Sequence, residues 1–239
     1  MNREYHCWWS QRTEREMPLL VFGHAGAKVL VFPTRDGRFH EYEDLQIVAA
    51  VAHKIEAGHL QLYCVDGADA FYRNGCGPEE RLRRAIAHEE YVLNEVLPLM
   101  AAKNQHPCTI VHGLSLGAYH AANLAFRHPH LFQKLCAFSG RYDLTHNVEN
   151  FRDLLDGYRG EQVYYHTPVR YVPGLDGWQL QSLRRMDVVL VIGREDPFVD
   201  NNRHFGGILA AKCVPHALHE WEGRAHSAQY WRRMAPAYL

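Results

Sequence analysis

Thr109-Ile110-Val111-His112-Gly113-Leu114-Ser115-Leu116-Gly117-Ala118-Tyr119-His120 decides how the rest of the chain is read. It opens as a short apolar run with β-branched residues, which reads as a strand. It turns on two glycines and continues into an Ala-rich segment that reads as a helix. One serine sits between the glycines, in the pattern G-x-S-x-G. A sharp strand-to-helix turn brings the positions two before and two after the serine close together, and small residues there avoid a clash. The same turn pushes the Ser115 hydroxyl out of the sheet, where a substrate can reach it. Five loosely constrained positions recur by chance, so the strand before the pattern and the helix after it carry the weight.

Outward from this stretch, apolar runs alternate with helical patterns. Residues 18–23 and 28–33 read as strands joined by the tight turn His24-Ala25-Gly26-Ala27. Val29, Leu30, Val31 and Phe32 are apolar in succession, as in a strand buried on both faces. These two strands are expected to form a hairpin at the edge of a mixed sheet. Residues 1–17 are polar and aromatic without a helical period. A helix is expected over 45–57, ended by Gly58. A strand follows over 60–66, then a long helix over 79–100 with Pro78 suited to its first position. Past the opening stretch come a strand over 134–140, a strand over 186–193, a helix over 201–211, a strand over 217–221 and a helix over 228–238. This alternation predicts an α/β fold with a mostly parallel central sheet, helices on both faces and an antiparallel N-terminal edge. Ligands in such sheets bind at the carboxyl ends of the strands.

Residues 141–182 break the alternation with Tyr142, Tyr158, Tyr164, Tyr165, Tyr171, Trp178 and several Gly and Pro residues. They lack an apolar core of their own, so they read as a lid-like or pocket-lining excursion within a single domain spanning 1–239.

A chain of 239 residues can bury one large core. Its formal net charge of −1 gives no general reason to expect a nucleic acid or an anionic membrane as partner. No apolar run approaches the roughly 20 residues that span a bilayer, and the N-terminal residues carry no secretory h-region. The six cysteines are scattered, with no C-x-x-C pair, which suggests free thiols in a reducing, cytoplasmic setting. Oligomeric state is not legible.

A serine hydroxyl is a poor nucleophile until a base takes its proton. The base is expected to be a histidine, oriented by a carboxylate. On this kind of sheet the order along the chain is serine, acid, histidine. Asp196 stands just past the strand that ends near Ile192, and His226 lies in the polar loop after the last strand. Both fall on the rim that carries Ser115. Asp196 could instead only cap a turn before Pro197, and His226 only the last helix. Glu195 and Asp200 are neighbouring alternatives for the acid, and Asp200 also resembles a helix N-cap. An oxyanion needs two aimed N–H donors. Leu116 would supply one. The loop after Phe32 would supply the other, through Arg35 or its neighbours Thr34 and Asp36. The density of Arg35, Asp36, Arg38, His40 and Tyr42 in that loop suggests substrate contacts, to which Tyr142 is added from the excursion. The run Arg81, Arg83, Arg84 among glutamates reads as a solvated ion-paired face. His128 and His130 flank Pro129 at a helix end, and His216 and His219 point to opposite faces of a strand. Neither a metal nor a cofactor is expected.

Gly113-Leu114-Ser115-Leu116-Gly117, Gly193-Arg194-Glu195-Asp196 and Gly223-Arg224-Ala225-His226 resemble the α/β-hydrolase superfamily. Within it the chain is similar to the esterase D branch, which also holds mycolyltransferase-like proteins. The late motifs Gly193-x-x-Asp196-x-x-x-Asp200-Asn201 and His226-x-x-x-x-Trp231 carry that similarity. The resemblance implies a three-layer sandwich and hydrolysis of carboxylic esters or thioesters, with Ser115, Asp196 and His226 as the triad. Two positions depart from the branch: Pro33-Thr34 replaces a His-Gly or Asp-Gly pair, and Ser227 replaces an Asp after the histidine. The expected function is a serine hydrolase acting on a small-molecule ester through an acyl-enzyme on Ser115. Acyl transfer by the same residues and a non-catalytic binding scaffold are the alternatives.

Overall fold

The apolar run of the opening stretch, Thr109–Leu114, forms β5 within an eight-stranded sheet. The structure, a computed structural model, describes residues 1–67 and 75–239. The other strands are β1 (Arg3–Ser10), β2 (Arg15–Phe22), β3 (Ala27–Phe32), β4 (Leu60–Val65), β6 (Lys134–Phe138), β7 (Asp187–Gly193) and β8 (His216–Trp221). Their order across the sheet is β1-β2-β4-β3-β5-β6-β7-β8. From β4 to β8 every neighbouring pair is parallel, and β2 and β1 add an antiparallel edge. The longer helices are α1 (Pro78–Tyr91), α2 (Leu97–Lys103), α3 (Leu116–Arg127), α4 (Gly177–Leu183), α5 (Val199–Ala211) and α6 (Ala228–Tyr238).

Successive residues of the central strands feed two cores, as a period of two demands. Leu30 and Val111 pack with Tyr91, Val96, Ala121 and Phe205 on the face covered by α1, α3 and α5. Val29 and Ile110 pack with Ile47, Val51, Trp231 and Met234 on the face covered by α6 and short helical turns between 41 and 56. The result is the expected three-layer α/β arrangement.

The edge hairpin differs from expectation. β2 pairs with β1 on one side and β4 on the other, while β3 lies between β4 and β5. The four successive apolar residues of β3 need apolar cover on both faces, which a central strand provides. β1 escapes the sequence reading because its inward residues are Glu4, His6 and Trp8 rather than a row of aliphatics. Polar tethers hold it instead: Trp8 Nε1 and Ser10 Oγ both donate to Glu95, at 2.6 and 2.8 Å. Glu95 lies in a π-helical turn, Val92–Val96, that interrupts the long helix expected over 79–100. The helix expected over 45–57 is likewise broken into short turns. Gln46 has a positive φ of 58°, so no continuous helix can pass through it.

The excursion is stitched down. Tyr142, Tyr171, Val172, Leu180 and Leu183 enter the core beside α3, and Leu144 and Leu154 pack on Leu116 and Tyr119. Tyr119 donates its hydroxyl proton to the His166 carbonyl at 2.8 Å. None of the described helices is long and apolar enough to cross a membrane.

Three buried histidines are held well below the usual imidazole value: His88 to about 3, His112 to about 4 and His166 to about 4, in each case chiefly because burial penalises the charged ring. In the unfolded chain they titrate near the ordinary value of about 6.5, so between these values the unfolded state binds more protons. Stability is therefore full above about pH 6.5 and falls as the pH drops toward 4. Denaturant unfolding near pH 5 is expected to take up roughly three additional protons, measured as the slope of unfolding free energy against pH. A flat slope between pH 7 and 5 contradicts this.

Candidate catalytic site

The turn between β5 and α3 works only because two residues lack side chains. A Cβ on Gly113 would overlap the Gly117 carbonyl, and a Cβ on Gly117 would overlap the carbonyl oxygens of Phe32 and Pro33 at the end of β3. Ser115, between them, sits at φ 55° and ψ −117°, a conformation that an L-residue adopts at a cost of about 1–3 kcal/mol. Its N–H donates to the Phe138 carbonyl at 2.8 Å, which docks the turn on the end of β6.

A second backbone contact aligns the other two loops. A Cβ on Gly193 would overlap the carbonyl oxygens of Gly223 and Arg224. The N–H groups of Arg194 and Glu195 donate to the Trp221 and Gly223 carbonyls at 2.8 and 3.1 Å. The loop after β7 is thereby fixed against the loop after β8. His226 Nδ1 lies 2.8 Å from Asp196 Oδ2, and His226 Nε2 lies 2.9 Å from Ser115 Oγ. Asp196 is buried, and its Oδ1 accepts the Phe198 N–H at 2.9 Å. The turn role and the histidine contact weighed for Asp196 are therefore both present. Of the alternative acids, Asp200 has a side chain 90% exposed and pairs with Arg203, and Glu195 is exposed. The His226 ring also meets the edge of Trp231, with centroids 5.6 Å apart, and the Trp231 indole N–H donates to Ser139 Oγ at 3.1 Å.

Leu116 and Arg35 line the same cleft as Ser115. Neither backbone N–H has a hydrogen-bond partner among the described residues. Thr34 differs, since its N–H donates to Glu41 Oε2 at 2.7 Å and its hydroxyl to Oε1 at 2.5 Å. That removes Thr34 from the candidate donors. Glu41 thus clips one end of the loop, whose turn closes through Gly37 N–H to the Thr34 carbonyl at 2.9 Å. Asp66, fully buried, holds the other end through the Phe39 N–H at 3.0 Å and Arg38 Nε at 2.7 Å, with Arg15 also paired to it.

Three of the expected substrate contacts lie elsewhere. Tyr42 is buried on the α6 face, with its hydroxyl 3.1 Å from His112 Nε2. Tyr142 is fully buried and stacks on Phe205 with centroids 4.5 Å apart, so it is core. His40 is turned toward Asp44, 2.6 Å from its carboxylate. Asp36 does not line the cleft but flanks Arg35, its Oδ2 3.8 Å from Arg35 Nε. Phe32 is the last residue of β3, so what faces inward in the following loop depends on the turn and not on its composition.

The cleft is small and opens to solvent. Phe151, Leu154, Phe198 and Arg141 complete its wall. None of the four stands out in the sequence by itself, although Arg141, Phe151 and Leu154 lie within the excursion over 141–182 that reads as lid-like or pocket-lining. Arg141 had a signal, since it follows β6 on the functional rim. Burial pulls its guanidinium down to about 10, and nearby Arg35 acts in the same direction against Asp143 and Asp153. Among the described residues, no group of three or more His, Cys, Asp or Glu side chains is arranged to hold a metal ion.

The model of the family described as "Putative esterase" matches residues 10–237. No curated protein matches the sequence. Among solved structures, a ferulic acid esterase superposes with a TM-score of 0.80 at 17% identity, covering 100% of this chain and 96% of that one. An S-formylglutathione hydrolase from Agrobacterium tumefaciens gives 0.75 at 14% identity, covering 99% and 92%. A fluorophosphonate-binding serine hydrolase of Staphylococcus aureus, in a substrate-bound structure, gives 0.73 at 13% identity, covering 99% and 96%. At these identities the likeness is one of fold, and the fold is that of the α/β-hydrolases.

Gly117→Ala and Gly193→Ala each force a methyl group into backbone carbonyls. Each is expected to lower stability by about 1–3 kcal/mol, read from urea unfolding. A variant as stable as the parent contradicts the close approach.

Proposed function

The chain belongs to the family described as "Putative esterase", and from that premise we propose that it is a serine carboxylesterase whose nucleophile is Ser115. The observation that supports this most is the unbroken hydrogen-bond chain from Ser115 Oγ through His226 to buried Asp196. Donation from Nδ1–H to Asp196 leaves the Nε2 lone pair free to take the serine proton. Ser115 attacks the ester carbonyl as His226 removes its proton. The tetrahedral oxyanion accepts hydrogen bonds from the N–H groups of Leu116, at the amino end of α3, and Arg35. Collapse expels the alcohol, protonated by His226, and leaves an acyl group on Ser115. Water, deprotonated by His226, then attacks the acyl carbon and releases the acid. Asp196 stays ionised throughout and stabilises the imidazolium.

Hydrolysis is favoured over acyl transfer because the polar loop over 35–44, where an acceptor would have to bind, is engaged within the protein. Tyr42 is in the core, and Glu41 and Asp66 hold the loop's ends. A purely binding role leaves the Ser115–His226 contact without a purpose.

Ser115→Ala is expected to lower kcat/KM for p-nitrophenyl acetate by about 10⁴-fold or more with the melting temperature preserved. Asp196→Asn is expected to lower kcat by about 10⁴-fold, because the imidazole then favours the wrong tautomer. Full activity in the Ser115 variant sinks the reading.

A further inference from the structure

Arg141 is an unusual wall for an apolar cleft. Its side chain is almost wholly buried, yet no carboxylate forms an ion pair with it among the described residues. Its Nε donates to the Asp143 carbonyl at 3.1 Å, and its Nη2 to the carbonyls of Leu144, His146 and Arg152 at 3.1, 2.6 and 2.8 Å. These contacts fold residues 143–152 around the guanidinium. Nη1, with two N–H groups, has no protein acceptor among the described residues. The carboxylates that act on Arg141 from a distance are otherwise engaged. Asp143 Oδ1 accepts from the N–H and hydroxyl of Thr145, at 2.9 and 2.7 Å. Asp153 accepts from the N–H groups of Leu155 and Gly157, at 2.8 and 3.0 Å, and pairs with Arg159.

Arg35 stands on the same cleft with its side chain about half exposed, and among the described residues its one carboxylate contact is the loose 3.8 Å approach of Asp36. Two guanidiniums therefore share one small cleft with Ser115, and the remaining wall is apolar: Leu116, Phe151, Leu154 and Phe198. Burying a charge without a counter-charge is costly, and a guanidinium fork matches a carboxylate in geometry and charge. A ligand carboxylate would use the Nη1 donors and relieve the repulsion between the two arginines.

We propose that the substrate is an ester bearing a carboxylate on a short apolar arm, with the arm among Leu116, Phe151, Leu154 and Phe198 and the carboxylate between Arg141 Nη1 and Arg35. This rests on Ser115 being the nucleophile of an esterase. It adds a specificity role for Arg141 and for the Arg35 side chain, distinct from that of the Arg35 backbone N–H.

Matched ester pairs test it and locate the charge. Mono-p-nitrophenyl adipate against p-nitrophenyl hexanoate places the carboxylate on the acyl side. 4-Acetoxybenzoate against its methyl ester places it on the alcohol side. In one pair the anionic member is expected to have a kcat/KM roughly tenfold higher, the factor one hydrogen bond to a charged group supplies. That ratio is expected to fall toward one in Arg141→Gln and in Arg35→Gln, and as sodium chloride is raised. Arg35→Gln keeps the test decisive if Arg141→Gln loosens the 143–152 loop. A ratio at or below one in both pairs overturns the inference even if both neutral esters are cleaved. If no ester is cleaved, the esterase reading fails, and ligand-observed NMR with adipate and 4-hydroxybenzoate then decides this one. Binding of either anion that weakens in Arg35→Gln upholds the carboxylate site, and no binding overturns it.

Discussion

The structure depends on close backbone approach at the carboxyl ends of its central strands. Gly117 lets the start of α3 touch the carbonyls of Phe32 and Pro33, and Gly193 lets the end of β7 touch those of Gly223 and Arg224. Ser115 N–H, bonded to the Phe138 carbonyl, ties the turn to β6. The loops that carry Ser115, Asp196, His226 and Arg35 are thus fixed to one another through main chain before any side chain of the site is considered. Strain is the cost. Ser115 and Ala225, the latter directly before His226, both hold positive φ values, 55° and 50°. Such geometry persists only where the surroundings over-determine it, and here glycine-mediated contacts do so on both sides of the rim.

Much of this is legible in the sequence because the candidate site lies at strand ends. G-x-S-x-G reports its own backbone demand, and Asp196 and His226 each follow an apolar run by a few residues. The failures have physical causes. β1 is an edge strand whose inner face is polar and is held by Glu95, a partner far along the chain, so no local pattern reveals it. Adjacency in sequence suggests a hairpin of β2 and β3, but the two are separated by β4 in the sheet, and four apolar residues in a row in β3 argue for its central position. Composition alone points to Tyr42 and Tyr142 as substrate contacts, but aromatic rings fill whatever core lies beneath them, and these two are beneath the loop and the excursion. Arg141 was overlooked because its role emerges only when residues 143–152 fold their carbonyls around it.

Charged groups that are buried or half-buried fall into two kinds of site. Asp66, Glu41 and Glu95 each accept several donors and serve as staples, joining the loop before the α6-face helical turns, the edge strand and the long helix. Their hydrogen-bonding capacity is used within the protein. Arg141 is the contrasting case: carbonyls take its Nε and Nη2 donors, its guanidinium lies over the Phe198 ring, and the residue lines the cleft without a paired carboxylate among the described residues. A buried cation beside Ser115 would give the proposed site a preference that shape alone does not, since an apolar pocket discriminates weakly between ligands of similar volume.

The central claim is that Ser115 is an activated nucleophile. Reaction with a fluorophosphonate probe followed by peptide mass spectrometry tests it most directly, because the probe modifies a serine only when a base has made it reactive. The account predicts a single stoichiometric adduct on the peptide containing Ser115, blocked by prior incubation with an ester substrate. An unmodified Ser115 under conditions where the protein is folded contradicts it.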